Sequence, residues 1–277
     1  MSNVIIHVGL RKTATTWLQD VLFPNIKDIN YIAKNSDNYP QWLIKWHYLD
    51  DYAFNHDMHN IKNNFFSFVQ NDKVNVLSSE AFTNTSVIYS QADRIKKIVP
   101  NAKIIITLRN PIDVIKSHYK LDIQDGINFL DLEKYLDWKR TPFDLFKRKP
   151  IYMPDFFYDE NIDYYQQLFG SNNVLVLKFE DMKNNPKKYF DHLSQFLNVT
   201  IELDELQLNT KKNESNKDNL ADMKFNNLKQ FFEKNMSVSL ENLSVKKENF
   251  NISDTVMSNA LEEKIKQYLK GKCFGYY

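Results

Sequence analysis

The segment between positions 9 and 16 has the residue types of an anion-binding loop. Lys12 supplies a positive charge, and the three threonines that follow it supply hydroxyl groups. The β-branched, apolar run at 4–8 predicts a buried strand, and the apolar stripe in 13–22 predicts a helix. A strand–loop–helix turn directs free backbone N–H groups and the positive end of the helix dipole to one point. The segment therefore predicts a phosphate site.

This loop differs from the Walker pattern G-x-x-x-x-G-K-[ST]. Arg11 stands where the second glycine should precede Lys12, and Gly9 lies too close to Lys12. A simpler alternative is an ordinary amphipathic helix whose threonine-rich N-terminus caps itself. The loop alone leaves both interpretations open.

A second candidate phosphate ligand follows the predicted strand at 103–108. Arg109 leaves the end of this strand and can hold a phosphate through a two-pronged hydrogen bond. Pro111 suits the first turn of a helix, and Ser117, two turns further on, can donate a hydroxyl to the same phosphate. The alternative is a plain helix start in which Arg109 pairs with Asp113.

Two further strand ends carry acidic side chains. Glu80 follows the predicted strand at 74–78, and it is a candidate general base or a cap for the helix that comes next. The predicted strand at 173–179 runs into Glu180 and Asp181. We expect these two carboxylates to hold the turn and to cap the following helix.

Apolar strands alternate with helical patterns along the chain. This alternation predicts an α/β fold with three layers, in which a mostly parallel central sheet is flanked by helices. The carboxyl ends of parallel strands meet at one edge, where such sheets bind their ligands. We therefore expect the 9–16 loop, Glu80, Arg109 and Glu180 to converge. The pattern also predicts a short strand at 31–32 and a helix over 130–138.

Three segments resemble the motifs of sulfotransferases that use 3′-phosphoadenosine 5′-phosphosulfate (PAPS). Residues 12–18, KTATTWL, are similar to the 5′-phosphosulfate loop K-[TS]-G-T-T-x-L, with Ala14 in place of the usual glycine. Residues 109–119 are similar to the 3′-phosphate motif R-[ND]-P-x-[DE]-x-x-x-S-x-Y. Residues 179–186 are similar to Y-E-D-[LM]-x-x-[ND]-P, with Phe179 in place of tyrosine. The motifs stand in the family's order, each after a predicted strand.

The resemblance implies a P-loop NTPase-like sulfotransferase fold. It also implies transfer of a sulfuryl group from PAPS to a hydroxyl or amine of an acceptor, which could be a carbohydrate or another small molecule. Lys12 would stabilise charge on the bridging oxygen, and Glu80 would be the base, as in carbohydrate-type and bacterial members. No metal is needed, because the loop and Lys12 supply the electrostatic stabilisation. The residues that the resemblance assigns to the co-substrate are Arg11, Lys12, Thr13, Ala14, Thr15, Thr16, Trp17, Arg109, Ser117, Phe179, Lys212, Ser215 and Lys217.

Two departures from the family pattern carry expectations of their own. Alanine at position 14 still allows a phosphate to approach the backbone if φ there is negative. Many relatives close over the nucleotide with a late basic loop that contains R-K-G, and this triplet is absent here. The polar run at 211–217 resembles the N-x-S loop of bacterial members and is the expected replacement. Its alternative is an ordinary solvated run of charges.

Histidines offer alternatives to Glu80 as the base. The better-known small-molecule sulfotransferases use a histidine, and His118 or one of His47, His56 and His59 could take this role. His56 and His59 would share one helical face, which is a spacing that suits a metal pair. No third ligand is evident, so solvated or acceptor-facing histidines are the simpler interpretation.

The composition argues against several classes of partner. The 277-residue chain has a formal net charge of +1, which does not favour nucleic acid. The single cysteine, Cys273, favours a reducing compartment. The N-terminus lacks the pattern of a signal peptide, and no apolar run approaches the ~20 residues of a membrane span. Repeats and linkers are absent too. We expect one domain over residues 1–277, a cytoplasmic location and no transmembrane segment.

Two other functions stay open at this point. A P-loop nucleoside or small-molecule kinase is disfavoured by the missing Walker glycine and by the lack of a clear Mg²⁺-holding aspartate at a strand end. A nucleotide-binding protein without catalysis, in which Glu80 is structural, would carry the same loop. The relative binding of PAPS and ATP distinguishes a kinase from a sulfotransferase. Turnover with a panel of acceptors distinguishes a sulfotransferase from a nucleotide-binding protein without catalysis.

Overall fold

The computed structural model of the protein describes residues 3–10, 12–32, 40–83, 88–139, 151–202, 220–236 and 256–277. Its contacts divide the chain into two compact units. The described parts of Met1–Arg109 and Tyr158–Lys212 form the first unit, and those of Asn110–Phe157 and Asn213–Tyr277 form the second. One domain over residues 1–277 stays a prediction.

Strands and helices alternate through most of the described residues. The strands are β1 Val4–Gly9, β2 Ile29–Ile32, β3 Val74–Ser78, β4 Lys103–Leu108, β5 Leu136–Asp137, β6 Ile151–Tyr152 and β7 Val174–Lys178. The α-helices are α1 Thr15–Trp17, α2 Gln41–Tyr48, α3 Asp51–Ser67, α4 Ile88–Ile98, α5 Pro111–Gln124, α6 Leu132–Tyr135, α7 Tyr158–Phe169, α8 Phe179–Asn184, α9 Pro186–Leu197, α10 Leu220–Met236 and α11 Asn259–Leu269. Across these described parts, no helix combines the length and apolarity needed to cross a membrane.

The first unit is built on a five-stranded sheet in the order β2-β3-β1-β4-β7. Every neighbouring pair in this sheet is parallel. The predicted α/β fold with a mostly parallel sheet is therefore confirmed, and the short strand expected at 31–32 is part of β2. Because the strands are parallel, the segments that follow β1, β3, β4 and β7 all leave the sheet at the same edge.

Helices cover one face of this sheet with a large apolar cluster. Ile5 and Ile105 face it from the central strands, Leu22 comes from the segment after α1, and Phe190 and Leu193 come from α9. Burial of each such side chain is worth about 1.5–3 kcal/mol relative to exposure. This cluster fixes the helix that begins at the candidate phosphate loop against the sheet.

The opposite face is covered by α7. Side chains alternate along a strand, so Ile106 points away from the cluster that holds Ile105. On that side Ile106 and Val8 line a narrow apolar space together with Ile162 and Tyr165 of α7. Helices thus lie on both faces, as the three-layer prediction requires.

The second unit contains α5 and α10, which are joined by buried polar contacts. Lys224 of α10 is fully buried and donates to Asp131 at 2.9 Å. The Asn227 amide donates to the carbonyls of Ile123 and Asn128 at 2.9 and 2.8 Å. These bonds satisfy the polar atoms that the packing of α10 against α5 removes from water.

The predicted helix over 130–138 is wrong at both ends, since only Leu132–Tyr135 is helical. The helical part is α6, and the chain then extends into β5, which pairs in parallel with β6. The partner residues Ile151 and Tyr152 come from a later part of the chain. A tertiary pairing therefore overrides the amphipathic pattern of this stretch.

Candidate active site

The loop after β1 has a tightly curled backbone. Lys12 has a φ of 65°, and Ala14 has a φ of 64° and a ψ of 22°, so both lie in the left-handed region. The condition set for a close approach of phosphate at Ala14, a negative φ, is therefore not met. This conformation explains why relatives prefer glycine there, since a Cβ disfavours it. The helix begins at Thr15 rather than Thr13.

The hydroxyl groups of Thr13 and Thr15 lie inside the loop. Both side chains are 1% exposed. The Thr13 hydroxyl donates to the Leu10 carbonyl at 2.6 Å and lies 2.9 Å from the hydroxyl of Thr107 on β4. The Thr15 hydroxyl lies 3.3 Å from that of Thr13. These two threonines hold the loop from within, whereas Thr16 is exposed. Direct contact of the three with a nucleotide stays a prediction.

Gly9 begins the candidate loop and is absent from the predicted binding residues. A Cβ on Gly9 would lie 2.5 Å from the Thr15 hydroxyl and 3.0 Å from the His7 ring. The first distance is shorter than any ordinary contact, so only glycine fits at the start of the loop. The signal in the sequence was a lone glycine at the end of an apolar run.

Arg109 contacts the loop directly. Its guanidinium donates to the Lys12 carbonyl at 3.0 Å and lies 4.8 Å above the centre of the Phe179 ring. Its buried Nε–H has no acceptor among the described residues. The structure thus brings Arg109, Lys12 and Phe179 together, with a guanidinium N–H still to be satisfied. Lys183, whose ammonium lies 4.6 Å from the same ring, was missed in the sequence.

Glu80 lies at the same edge of the sheet as the loop. It begins a 3₁₀ turn, Glu80–Thr83, directly after β3. The Thr83 hydroxyl lies 2.8 Å from the Gly9 carbonyl and 2.9 Å from the Glu80 carbonyl, so this turn is tied to the end of β1. The Glu80 side chain is half-buried. The loop, Glu80, Arg109 and Glu180 thus all follow parallel strands of the first unit. Their convergence on one ligand stays a prediction.

Ser117 belongs to the second unit, where it is half-buried on α5. The N-terminus of that helix is well capped. Asn110 accepts a hydrogen bond from the Ile112 N–H at 2.9 Å, and Pro111 occupies the first turn. The Tyr277 hydroxyl donates to the same Asn110 side chain at 2.5 Å. The phosphate contact assigned to Ser117 stays a prediction.

The histidines His118, His47 and His59, considered as bases, each lie next to a polar side chain. His118 lies 3.6 Å from the buried carboxylate of Asp122, which also accepts from the Tyr135 hydroxyl at 3.0 Å. His47 is buried, with its Nε2 3.1 Å from the Ser79 hydroxyl. His59 is exposed and lies within hydrogen-bond distance of Asn63. Within the described residues, no group of three or more His, Cys, Asp or Glu side chains could hold a metal.

Trp17 lies in the apolar cluster rather than at the surface. Its side chain is 6% exposed, and its ring centre is 5.9 Å from that of Phe190. Its buried indole N–H has no acceptor among the described residues. A contact with the nucleotide stays a prediction for Trp17. The remaining predicted binding residues, Arg11, Lys212, Ser215 and Lys217, lie outside the described residues.

A family model described as the sulfotransferase domain matches residues 2–272, which is nearly the whole chain. The chain belongs to the sulfotransferase family. The enzyme is therefore a sulfotransferase that takes the sulfuryl group from PAPS, and the family resemblance of its motifs is confirmed. No curated protein matches this sulfotransferase in sequence.

Solved structures show what this sulfotransferase is similar to. The sulfotransferase from Alicyclobacillus acidocaldarius is 19% identical with a TM-score of 0.54, over 88% of this chain and 99% of that chain. The sulfotransferase domain from the curacin biosynthetic pathway is 14% identical with a TM-score of 0.48, over 97% and 96%. Mouse sulfotransferase SULT7A1, complexed with PAP, is 14% identical with a TM-score of 0.46, over 99% and 86%. The first of these shows a shared fold.

Burial keeps two histidines of the sulfotransferase neutral. It lowers the pKa of His7 from 6.5 to about 3 and is the largest cause that lowers the pKa of His47 from 6.5 to about 3. A hydrogen bond with Gln91 opposes the shift at His47, and the nearby Arg94 charge adds to it. A base whose pKa is near 3 gains little from taking a proton at neutral pH. His47 is also buried, whereas Glu80 is half-buried, so Glu80 is the more accessible candidate for the base.

These two histidines predict a loss of stability in mild acid. Below pH 6.5 the unfolded chain binds protons that the folded chain does not bind until about pH 3. The free energy of unfolding should therefore fall as the pH drops from 6.5, by about 1.4 kcal/mol per pH unit for each histidine. Urea unfolding between pH 7 and pH 5 measures this slope. His47→Gln should make the slope shallower, because one of the two buried histidines is then gone. An unchanged slope in His47→Gln would contradict the assignment.

The left-handed backbone at Ala14 predicts that Ala14→Gly stabilises the protein. Relief of the Cβ contact exceeds the entropy that glycine adds to the unfolded chain, so we expect a gain of about 0.5–1 kcal/mol in urea unfolding. Ala53→Gly is the matched control, since Ala53 is in α3. That change should cost about 0.5–1 kcal/mol. Equal losses for both variants would show that Ala14 is not strained.

Proposed function

We propose that this sulfotransferase transfers the sulfuryl group of PAPS to a hydroxyl or amine of a carbohydrate or another small molecule. Its active site would be the edge of the sheet where the 9–16 loop, Glu80 and Arg109 lie. The observation that carries this assignment is the position of Arg109, which donates to the Lys12 carbonyl while its buried Nε–H lacks an acceptor among the described residues.

The surroundings of Arg109 fit a ligand with two phosphate groups. PAPS carries one phosphate at the 5′ position, next to the sulfuryl group, and a second at the 3′ position. The Arg109 guanidinium beside the loop and the Lys12 ammonium in the loop would each bind one of these phosphates, because charged hydrogen bonds to phosphate are strong. The Phe179 ring offers an apolar surface beside them.

The chemical step would be a direct displacement at sulfur. The acceptor oxygen or nitrogen forms a bond to sulfur while the bond from sulfur to the bridging phosphate oxygen breaks. The acceptor proton passes to the Glu80 carboxylate, and the electron pair of the broken bond stays on the departing 3′,5′-bisphosphate. Lys12 would stabilise the charge that grows on that oxygen. Glu80 therefore acts as the general base in this proposal.

The cellular location is also part of the proposal. Cys273 is buried, and its thiol lies 2.9 Å from the Leu269 carbonyl. A single cysteine cannot form an intramolecular disulfide, so an oxidising compartment would add no disulfide stabilisation to this chain. We propose that the enzyme works in the cytoplasm. Fractionation of cells that produce the untagged protein tests this location.

Calorimetric titration tests the co-substrate assignment. The wild-type protein should bind PAPS and adenosine 3′,5′-bisphosphate, and it should bind ATP far more weakly, because ATP lacks a 3′-phosphate. Lys12→Ala should weaken binding by about 1.5–3 kcal/mol, the value of a lost charged hydrogen bond. Tight ATP binding would favour a kinase.

Turnover of labelled PAPS over a panel of sugar, phenol and amine acceptors then separates an enzyme from a nucleotide-binding protein.

Arg109→Ala should remove the preference for a 3′-phosphate. Affinity for adenosine 3′,5′-bisphosphate should fall by about 1.5–3 kcal/mol, while affinity for adenosine 5′-phosphosulfate, which lacks that phosphate, should fall much less. Lys183→Ala is the matched control, since Lys183 is the other cation over the Phe179 ring. Equal losses for both ligands in Arg109→Ala would mean that Arg109 only supports the loop.

Glu80→Gln should separate a base from a structural residue. The amide keeps the shape and loses the basicity, so we expect kcat to fall roughly 10²–10⁴-fold, with PAPS affinity and melting temperature nearly unchanged. Glu180→Gln is the control, because Glu180 also follows a strand of the sheet and has an expected structural role. If Glu80→Gln keeps wild-type turnover, His118 becomes the next candidate for the base.

A further inference from the structure

A chain of buried polar side chains crosses the three central strands below the candidate loop. His7 of β1 is 0% exposed, and it lies between Ser78 of β3 and Thr107 of β4. Its Nδ1 is 2.7 Å from the Ser78 hydroxyl, and its Nε2 is 3.1 Å from the Thr107 hydroxyl. A buried imidazole in the middle of a sheet is costly unless both nitrogens are bonded. Both nitrogens of His7 have a partner.

The groups at the two ends of the chain, an amide donor and a carbonyl acceptor, fix the direction of these hydrogen bonds. The Gln19 amide donates to the Ser78 hydroxyl at 3.0 Å, so that hydroxyl can donate to Nδ1 of His7. Nε2–H of His7 then donates to Thr107. The Thr107 hydroxyl donates to Thr13, and Thr13 donates to the Leu10 carbonyl. With His7 neutral and protonated on Nε2, every donor in this chain has an acceptor.

Both ends of this hydrogen-bond chain reach the loop. One end is the Leu10 carbonyl, at the start of the loop. The other is Gln19, in the helical segment that follows it. The His7 ring also packs against the backbone of Gly9, where a Cβ would come within 3.0 Å of the ring. The loop is thus clamped to the centre of the sheet on both sides of Lys12.

We propose that His7 is a positioning residue for the nucleotide loop: through Thr107 and Thr13 it fixes the turn that carries Lys12. This inference rests on the proposed nucleotide site and deepens it. The turn contains the left-handed residues Lys12 and Ala14, a conformation that persists only where surrounding contacts hold it. Hydrogen bonds from rigid strands supply those contacts, and the placement of Lys12 depends on them.

Four variants test the role of His7. Thr107→Val has nearly the same shape and removes the hydroxyl, His7→Leu removes both nitrogens, and His7→Gln keeps an amide N–H close to the position of Nε2. Ser194→Ala is the matched control, because the Ser194 hydroxyl donates to the Val199 carbonyl far from the loop in sequence. Calorimetry with adenosine 3′,5′-bisphosphate, at a temperature where all variants are folded, gives the affinity of each. Melting temperatures are measured in parallel.

We expect His7→Leu and Thr107→Val each to weaken bisphosphate binding by about 10- to 100-fold, the cost of a misplaced ligand group. The double variant should bind the bisphosphate as tightly as whichever single variant has the lower affinity, because both changes interrupt the same chain of hydrogen bonds. His7→Gln should recover most of the affinity. Ser194→Ala should lower the melting temperature and leave affinity unchanged, since a purely structural loss does not alter a folded site.

Wild-type affinity in Thr107→Val would overturn the proposal, and so would losses that add fully in the double variant. If His7→Leu does not fold, Thr107→Val and His7→Gln decide the question. A wild-type protein that does not bind the bisphosphate would overturn the proposed function, and this inference with it. That result is distinguishable from failure of the inference alone, in which the wild type binds and the variants bind equally well.

Discussion

The register between β1 and β4 is the constraint on which the rest of the candidate active site depends. Gly9 lies opposite Thr107 in this pair, so the loop after β1 and the Arg109 backbone leave the sheet side by side. The guanidinium can then donate to the Lys12 carbonyl at 3.0 Å. A shift of one residue in either strand would turn every side chain of that strand to the other face of the sheet and separate these groups.

A loop with two non-glycine residues in the left-handed region needs support from outside itself. The strands below provide it. Thr107 bonds to Thr13, His7 bonds to Thr107, and the missing side chain of Gly9 lets the loop sit directly on these groups. The support therefore comes from the central strands of the sheet, β1 and β4.

Charge in this protein is arranged locally rather than over the whole surface. The formal net charge is only +1, and yet the Arg109 guanidinium and the Lys183 ammonium both lie within 5 Å of the centre of the Phe179 ring. Arg109 also touches the backbone of Lys12. A ligand with two phosphate groups gains from such a cluster even without a strong global field, because interactions over a few ångströms are screened far less than distant ones.

The sequence by itself indicated where the main strands lie along the chain, that they form a mostly parallel sheet, and which residues are candidate phosphate ligands, Lys12 and Arg109 among them. Those signals are local: β-branched runs, a glycine at a strand end and a cation next to hydroxyls. Only the tertiary structure decided the left-handed backbone at Ala14, the pairing that replaced the end of the predicted helix over 130–138, and the contacts of His7. The partners of His7 lie 71 and 100 positions away along the chain. No local pattern encodes a contact over such separations, since it forms only when the strands pair.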